Sequence, residues 1–289
     1  MSLSGRIRPG GTRVAITSGK GGVGKTSVAV NLATALARLG HRVGILDADF
    51  GLGNVDVMLG MTPGAHVGSL LTGDKPLEEV AVDLPSGVRV VPAGSGVRAL
   101  TALTPAQWTR LGHAIDAMAE DLDFLLIDTA PGIDDHVFQL ARLVDEVIVV
   151  TSHEPTAIVD AYAMVKLLIA ATPTTAIGIV VNAARDAAQA DLVFRQLATA
   201  AKRFLGRSVT SYGFVVRDAR VGQAVMEQEP IVTRAPESPA SLCFRRLALR
   251  VANLLKPGPG PARATQVHTA RPGMMSVEEF TEVEAPRCA

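Results

Sequence analysis

The chain has 289 residues, 48% of them hydrophobic, and its 28 basic side chains are balanced by 28 acidic ones. That length suits one large α/β domain or two small ones, and the neutral balance leaves no bulk attraction to nucleic acid or to an anionic membrane. Cys243 and Cys288 are its two cysteines, too few for a disulfide framework, a CxxC metal site or an iron–sulfur cluster, and a reducing, cytoplasmic setting is expected. Residues 1–13 do not read as a signal peptide, and no apolar run reaches the roughly 18 residues of a membrane span.

Residues 1–11 are expected to form a flexible arm before a domain spanning residues 12–255. Val14–Thr17 is a short apolar strand, and a glycine-rich loop follows it. From Gly19 to Thr26 (Gly19, Lys20, Gly21, Gly22, Val23, Gly24, Lys25, Thr26) every fixed position of the phosphate-loop pattern G-x-x-x-x-G-K-[ST] is met. Ser27–Leu39 then reads as a helix with Val28, Leu32, Ala35, Leu36 and Leu39 on one face. Strand, glycine loop and helix together point backbone N–H groups and a helix N-terminus at a phosphate. Lys25 is expected on the β/γ-phosphates and the Thr26 hydroxyl on Mg²⁺. The chain holds six lysines against 22 arginines, yet two lysines fall in this loop. A compact ammonium fits a glycine cage that a guanidinium fork would not.

Arg42–Leu46 is expected as the second strand, running into a loop that carries Asp47 and Asp49. Two carboxylates two residues apart, beyond a strand's carboxyl end, suit a mobile loop near a metal-bound phosphate. Read in isolation they equally suit a polar turn with an Asp N-cap for a helix at Val55–Leu59. Residues 61–87 read as irregular surface pieces, Val88–Gly94 as a strand and turn, and Thr104–Glu120 as a helix with Trp108, Leu111, Ile115 and Met118 on its core stripe. Phe124–Ile127 is uninterruptedly apolar, as in a central parallel strand, and Asp128 closes it at the position of a Mg²⁺-supporting carboxylate. Gly132 follows, where a mobile N–H can meet a γ-phosphate.

Glu146–Thr151 reads as a strand, Pro155–Ala171 as a helix, and Ala176–Asn182 as a strand ending on Asn182. The Asn182 amide carries a donor and an acceptor, which matches a base edge, although a strand-end turn residue reads the same way. A helix at 189–204, a strand at Tyr212–Val216, a helix from Asp218 and a last helix at Ser238–Leu255 complete the domain. That last helix shows Cys243, Leu247, Val251, Leu254 and Leu255 on one face and Arg246, Arg250 and Asn253 on another. From Lys256 the chain turns proline- and glycine-rich, then acidic around Glu278, Glu279, Glu282 and Glu284, and residues 256–289 are expected to be a disordered tail. Within that tail Met274–Val283 reads as a short helix suited to docking on a protein partner. The alternation implies an α/β fold, a mostly parallel sheet covered by helices on both faces.

Lys20 to Thr26, together with Asp47–Asn54 and Asp128–Gly132, resembles the MinD/ParA family of P-loop ATPases with a deviant Walker A loop. The strings Asp47–Asp56, Val91–Gly96 and Glu154–Tyr162 are similar to the flagellar number regulators of that family, the FlhG/FleN group. The resemblance covers residues 12–255. It implies an ATP-dependent homodimer, with Lys20 reaching the partner's nucleotide, Asp49 orienting the attacking water, Thr26, Asp49 and Asp128 around Mg²⁺, and Asn182 contacting adenine. It implies slow ATP hydrolysis and partners of two kinds, a signal-recognition-type flagellar GTPase and a flagellar transcription activator. Residues 1–12 lack the GTPase-stimulating segment that many members carry, and the tail lacks an apolar membrane helix, so any membrane association is expected to be peripheral, at the inner face or a cell pole.

Two other functions fit the same loop. One is a DNA-partitioning ATPase, for which Arg195, Lys202, Arg203, Arg207, Arg217 and Arg220 would form a basic face on dimerisation; nucleic-acid binding is the less favoured reading. The other is an adaptor that binds ATP without hydrolysing it.

Overall fold

Strand β1 (Thr12–Thr17) runs through the middle of the sheet, paired in parallel with β5 (Phe124–Thr129) on one side and β6 (Glu146–Thr151) on the other. The computed structural model describes residues 10–94 and 102–255. Beyond β5 lie β2 (Val43–Ala48), β4 (Val88–Val91) and the two-residue β3 (Val82–Asp83); beyond β6 lie β7 (Ala176–Ala184) and β8 (Thr210–Val216). The order is β3-β4-β2-β5-β1-β6-β7-β8, parallel throughout except for the β3–β4 pair.

The central strands are apolar because both faces are covered. Val14 and Ile16 of β1 join one core with Phe124 and Leu126 of β5, whereas Ala15, Leu125 and Ile127 join the other. A strand's period of two sends successive residues to opposite faces, so an unbroken apolar run serves both layers. One layer contains α1 (Lys25–Arg38), α2 (Val55–Met58), α9 (Ala219–Met226), α10 (Ile231–Arg234) and α11 (Pro239–Leu255). The other contains α3 (Val67–Thr72), α5 (Pro105–Glu120), α6 (Asp135–Ala141), α7 (Pro155–Ala171) and α8 (Ala187–Leu205), with α4 (Leu77–Val80) beside α3. The chain leaves β1 toward β2 on one side and crosses from β5 to β6 on the other. That reversal opens a crevice at the carboxyl ends of β1, β5 and β6.

Several elements depart from the sequence expectation. Helix α1 begins at Lys25, so Lys25 and Thr26 lie in its first turn. Strand β2 runs on to Ala48, which places Asp47 inside the sheet at 0% exposure rather than in the loop. Strand β7 continues past Asn182 to Ala184, with register shifts against β8. Residues 61–87 are not surface filler: Val67, Leu71 and Val80 are fully buried. Helices α6 and α10 carry no strong periodic signal and were not expected. Leu254 is exposed, not part of the α11 core face. Gly10 and Gly11, assigned to the arm, pack on the end of α5, where the Gly11 N–H donates to the Ala119 carbonyl at 2.7 Å. Ser95 and Gly96, residues 1–9 and the tail from Lys256 onward lie outside the described residues. Among the described residues no helix is long and apolar enough to cross a membrane.

Candidate nucleotide-binding site

The turn from β1 into α1 builds the loop. Gly22 and Gly24 hold φ of 80° and 86°, a left-handed region that costs a side chain with Cβ roughly 1 kcal/mol or more. Gly24 is also the N-cap of α1 and leaves its first N–H groups without a side-chain cap. Those donors are therefore available to an anion. At Gly19 an added Cβ would strike the Asp160 carbonyl, so the loop lies directly on the first turns of α7.

Lys25 is buried and its ammonium donates to the Asp128 carboxylate at 2.7 Å. Asp128 pairs in register with Asp47 across β5 and β2. Burial pushes the Asp128 carboxyl above its ordinary range, against the pull of Lys25 and Thr26. Burial and then the Asp128 charge push Asp47 up to about 7. Asp47 is the loop's anchor: its two oxygens accept from the N–H groups of Asp49 and Val55, each at 3.1 Å. The N-cap of α2 is Asn54, whose side chain makes no capping bond, so no Asp in the turn caps that helix; Asp47 reaches it from the strand. Asp49 accepts from the Leu52 N–H at 3.1 Å, and its charge is felt by Asp128.

The fit of Mg²⁺ to these residues turns on Asp128 Oδ2, which is buried and without a hydrogen-bond partner. Among the described residues no group of three His, Cys, Asp or Glu could cage a metal alone. Mg²⁺ bound chiefly by phosphates and waters needs only one or two protein oxygens. Asp128 and the Thr26 hydroxyl meet that requirement, with the Asp49 charge close by.

A cavity of about 490 Å³ opens beside the loop, lined by Lys20 to Gly24, Ser152, His153, Glu154, Asn182, Ala183 and Arg217. Asn182 Nδ2 donates to the Val23 carbonyl at 2.8 Å. That contact orients the amide, and a Cβ at Gly24 would collide with it. Ala183 holds φ of 53°, which turns the chain out of β7 at the cavity wall. Lys20 lies at the rim and donates to Glu154 at 2.6 Å and to Thr156 at 2.9 Å. Gly132, with φ of 93°, donates its N–H to the Ser18 carbonyl at 2.9 Å rather than into the cavity. The structure thus gathers the loop, Asn182 and the Lys25–Asp128 pair at one crevice. Asp49 and Gly132 stand on adjoining loops, each bonded to backbone.

Sequence reasoning gave no role to Ser152, His153 or Glu154 and placed Arg217 only on a candidate nucleic-acid face, although all four line the cavity. Only the Glu154–Tyr162 string hinted at one of them. It also missed the anchoring part of Asp47, which becomes legible only when β2 is seen to continue through it.

The sequence model of the ParA family, described as NUBPL iron-transfer P-loop NTPase, matches residues 11–252. The antiactivator FleN of Pseudomonas aeruginosa is 42% identical over 238 residues, 82% of this chain and 85% of that protein. The flagellum site-determining protein YlxH of Helicobacter pylori is 36% identical over 156 residues, 53% of this chain and 52% of that one. Among solved structures, the septum site-determining protein MinD of Pyrococcus horikoshii, complexed with Mg-ADP, superposes with a TM-score of 0.72 at 24% identity, covering 84% of this chain and 96% of that one. The chain belongs to the ParA/MinD family of P-loop NTPases.

Proposed function

We propose that the protein is an ATP-dependent dimerising switch that hydrolyses ATP to ADP and regulates flagellar number and placement. The observation that carries this reading is the division of labour between two lysines of one glycine loop. Lys25 is buried on Asp128 and Lys20 lies half-buried at the rim. A triphosphate entering the crevice gives Lys25 a stronger anionic partner than Asp128 and frees that carboxylate. Thr26 and Asp128 would hold Mg²⁺, which supplies charge neutralisation on the phosphates when bound. Asp49 orients the attacking water, Gly132 responds to the γ-phosphate, and Asn182 holds adenine. Lys20 leaves Glu154 to reach the nucleotide of a second copy. No strong general base is in sight, so turnover is slow and rests on positioning.

The flagellar assignment rests on similarity to FleN and YlxH. Its partners are a signal-recognition-type flagellar GTPase and a flagellar transcription activator, met in the cytoplasm or, peripherally, at the inner membrane face or a cell pole. The DNA-partitioning reading is weakened by the placement of its six basic residues. Helix α8 runs back from the carboxyl end of β7 to the amino end of β8, so Lys202, Arg203 and Arg207 lie at the opposite end of the sheet from Arg217 and Arg220. Arg195 is paired with Asp191.

The test is the mass of the purified protein with Mg²⁺ and a non-hydrolysable ATP analogue, beside its rate of phosphate release from ATP. A dimer that forms with the analogue and not with ADP supports the switch. A protein that stays monomeric at saturation overturns it, and a dimer without phosphate release leaves the non-hydrolysing adaptor.

A further inference from the structure

Asp49 sits on a loop held to the domain on both sides of it. On the strand side Asp47 holds the N–H groups of Asp49 and Val55. Beyond Asp49, Leu52 is 75% exposed, whereas the neighbouring Phe50 is 3% exposed. The Phe50 ring is therefore one of the loop's holds on the domain, beside the buried Gly53 that packs on Ala93, and its neighbours help set where the Asp49 backbone can lie. One neighbour is His136 in the first turn of α6, with ring centroids 6.3 Å apart and planes at 65°. Trp108, in the first turns of α5, also meets His136, at 5.5 Å and 79°. Edge-to-face contacts of this kind fix ring orientation as well as distance.

We infer that His136 is a positioning residue for ATP hydrolysis, acting on Asp49 through Phe50, with Trp108 holding its ring in place. The placement of α6 gives this consequence beyond packing. Helix α6 opens directly after the Gly132 loop, so one imidazole joins the two loops that carry Asp49 and Gly132. Trp108 is the chain's one tryptophan, which makes the contact a built-in optical reporter. The inference rests on the reading of Asp49 as the water-orienting group and deepens it.

The experiment compares steady-state ATP turnover of the full chain and its His136→Ala, His136→Phe and Asp49→Ala variants, with thermal melts as a folding control. His136→Ala is expected to lower kcat by between about tenfold and 100-fold, the size of effect that a small misplacement of a reacting group produces. The KM for ATP stays within about twofold, because the cavity residues are untouched. His136→Phe, which restores a ring edge, recovers most of kcat. Trp108 emission changes when Mg²⁺ and a non-hydrolysable ATP analogue are added to the native chain, and this response is lost in His136→Ala. Should His136→Ala fail to fold, Phe50→Leu keeps an apolar anchor without a ring and is expected to show the same split between kcat and KM. Unchanged turnover, a KM that rises in step with the loss of kcat, or a His136→Phe variant as slow as His136→Ala overturns the inference. If Asp49→Ala itself turns over normally, the reading of Asp49 fails and takes this inference with it. If Asp49→Ala is slow and His136→Ala is not, only the inference fails.

Discussion

The Lys20 ammonium bridges the phosphate loop to the first turn of α7, donating to Glu154 and to Thr156 in the same chain. Its hydrogen bond, and then its charge, hold the Glu154 carboxyl below the usual range. If Lys20 crosses to a second copy as proposed, it starts out occupied at home, and dimerisation then has to break this pair. Glu154→Gln is expected to lower the concentration of ATP analogue needed for dimerisation by no more than about fivefold, the range open to an exposed ion pair. Lys20→Ala removes the dimer while leaving ATP binding to the monomer nearly intact. Sedimentation across an analogue titration checks both, and a Lys20→Ala variant that still dimerises would contradict the cross-dimer role.

The Lys25–Asp128 pair predicts a different pattern, because both partners are buried. Lys25→Ala leaves a carboxylate in the interior without its cation, a change that costs up to about 3–5 kcal/mol where the charge persists. Burial already raises the Asp128 carboxyl, so it takes up a proton and the loss falls toward the lower end. The double variant Lys25→Ala/Asp128→Asn is expected to regain much of that stability without regaining ATP binding. Urea denaturation and calorimetric titration separate the two effects. Equal stability of the single and double variants would show that the stranded Asp128 carboxylate is not the source of the loss.

The layered fold and the phosphate loop were legible because each rests on local chemistry. Phe124–Ile127 announces a strand buried on both faces, and the glycines at 22 and 24 announce a backbone turned left-handed. The capping box of α5 was half visible too: Thr104 and Pro105 marked its start, and Gln107 completes it. What escaped depends on contacts distant in sequence. Asp47 looked like a loop carboxylate because its partners, Val55 N–H and the neighbouring β5, are set by tertiary pairing. Trp108 was read as core, and it is half-buried against His136, a residue on a helix with too few turns to show a period. Glu146 gave no hint of its state, because a carboxylate at a strand start is ordinarily solvated.

Glu146 is 4% exposed and sits beside Tyr212, whose ring lies over Gly178 where a Cβ would not fit. Burial pushes Glu146 up to about 7 against the hydrogen bond from Tyr212, and one of its oxygens has no partner. Burial and then the Glu146 charge push the Tyr212 hydroxyl up as well. Between the ordinary value of about 4.5 and about 7 the folded chain therefore holds a proton that the unfolded chain has released. Stability from this group is complete at the acid end of that window and is lost as pH rises through it, by about 3 kcal/mol in all. Asp47 adds a slope of the same sign. Glu146→Gln is expected to flatten the profile between pH 5 and 8 by roughly that amount and to be more stable than the native chain at pH 8. Urea midpoints of the nucleotide-free protein at the two pH values decide it; an unchanged difference between them would refute the shifted carboxyl.

Asn182 offers the sharpest test of the base subsite. The Val23 carbonyl can only accept, so the amide must turn Nδ2 toward it, as observed at 2.8 Å. Oδ1 then faces away as an acceptor. An adenine amino group donates to such an oxygen, whereas the guanine carbonyl at the same ring position would meet it lone pair to lone pair. Asn182→Ala is expected to weaken ATP by about tenfold and to erase most of the preference over GTP, the loss of one buried hydrogen bond. Asn182→Asp is expected to be worse than alanine, because a carboxylate has no N–H to give the Val23 carbonyl and sets two acceptors against each other. Competition of ATP and GTP for a fluorescent ADP analogue measures both variants. If alanine leaves the ATP-to-GTP ratio untouched, the base is read elsewhere on the cavity wall, and Arg217 and the backbone turned out at Ala183 become the side chain and the chain segment to alter next.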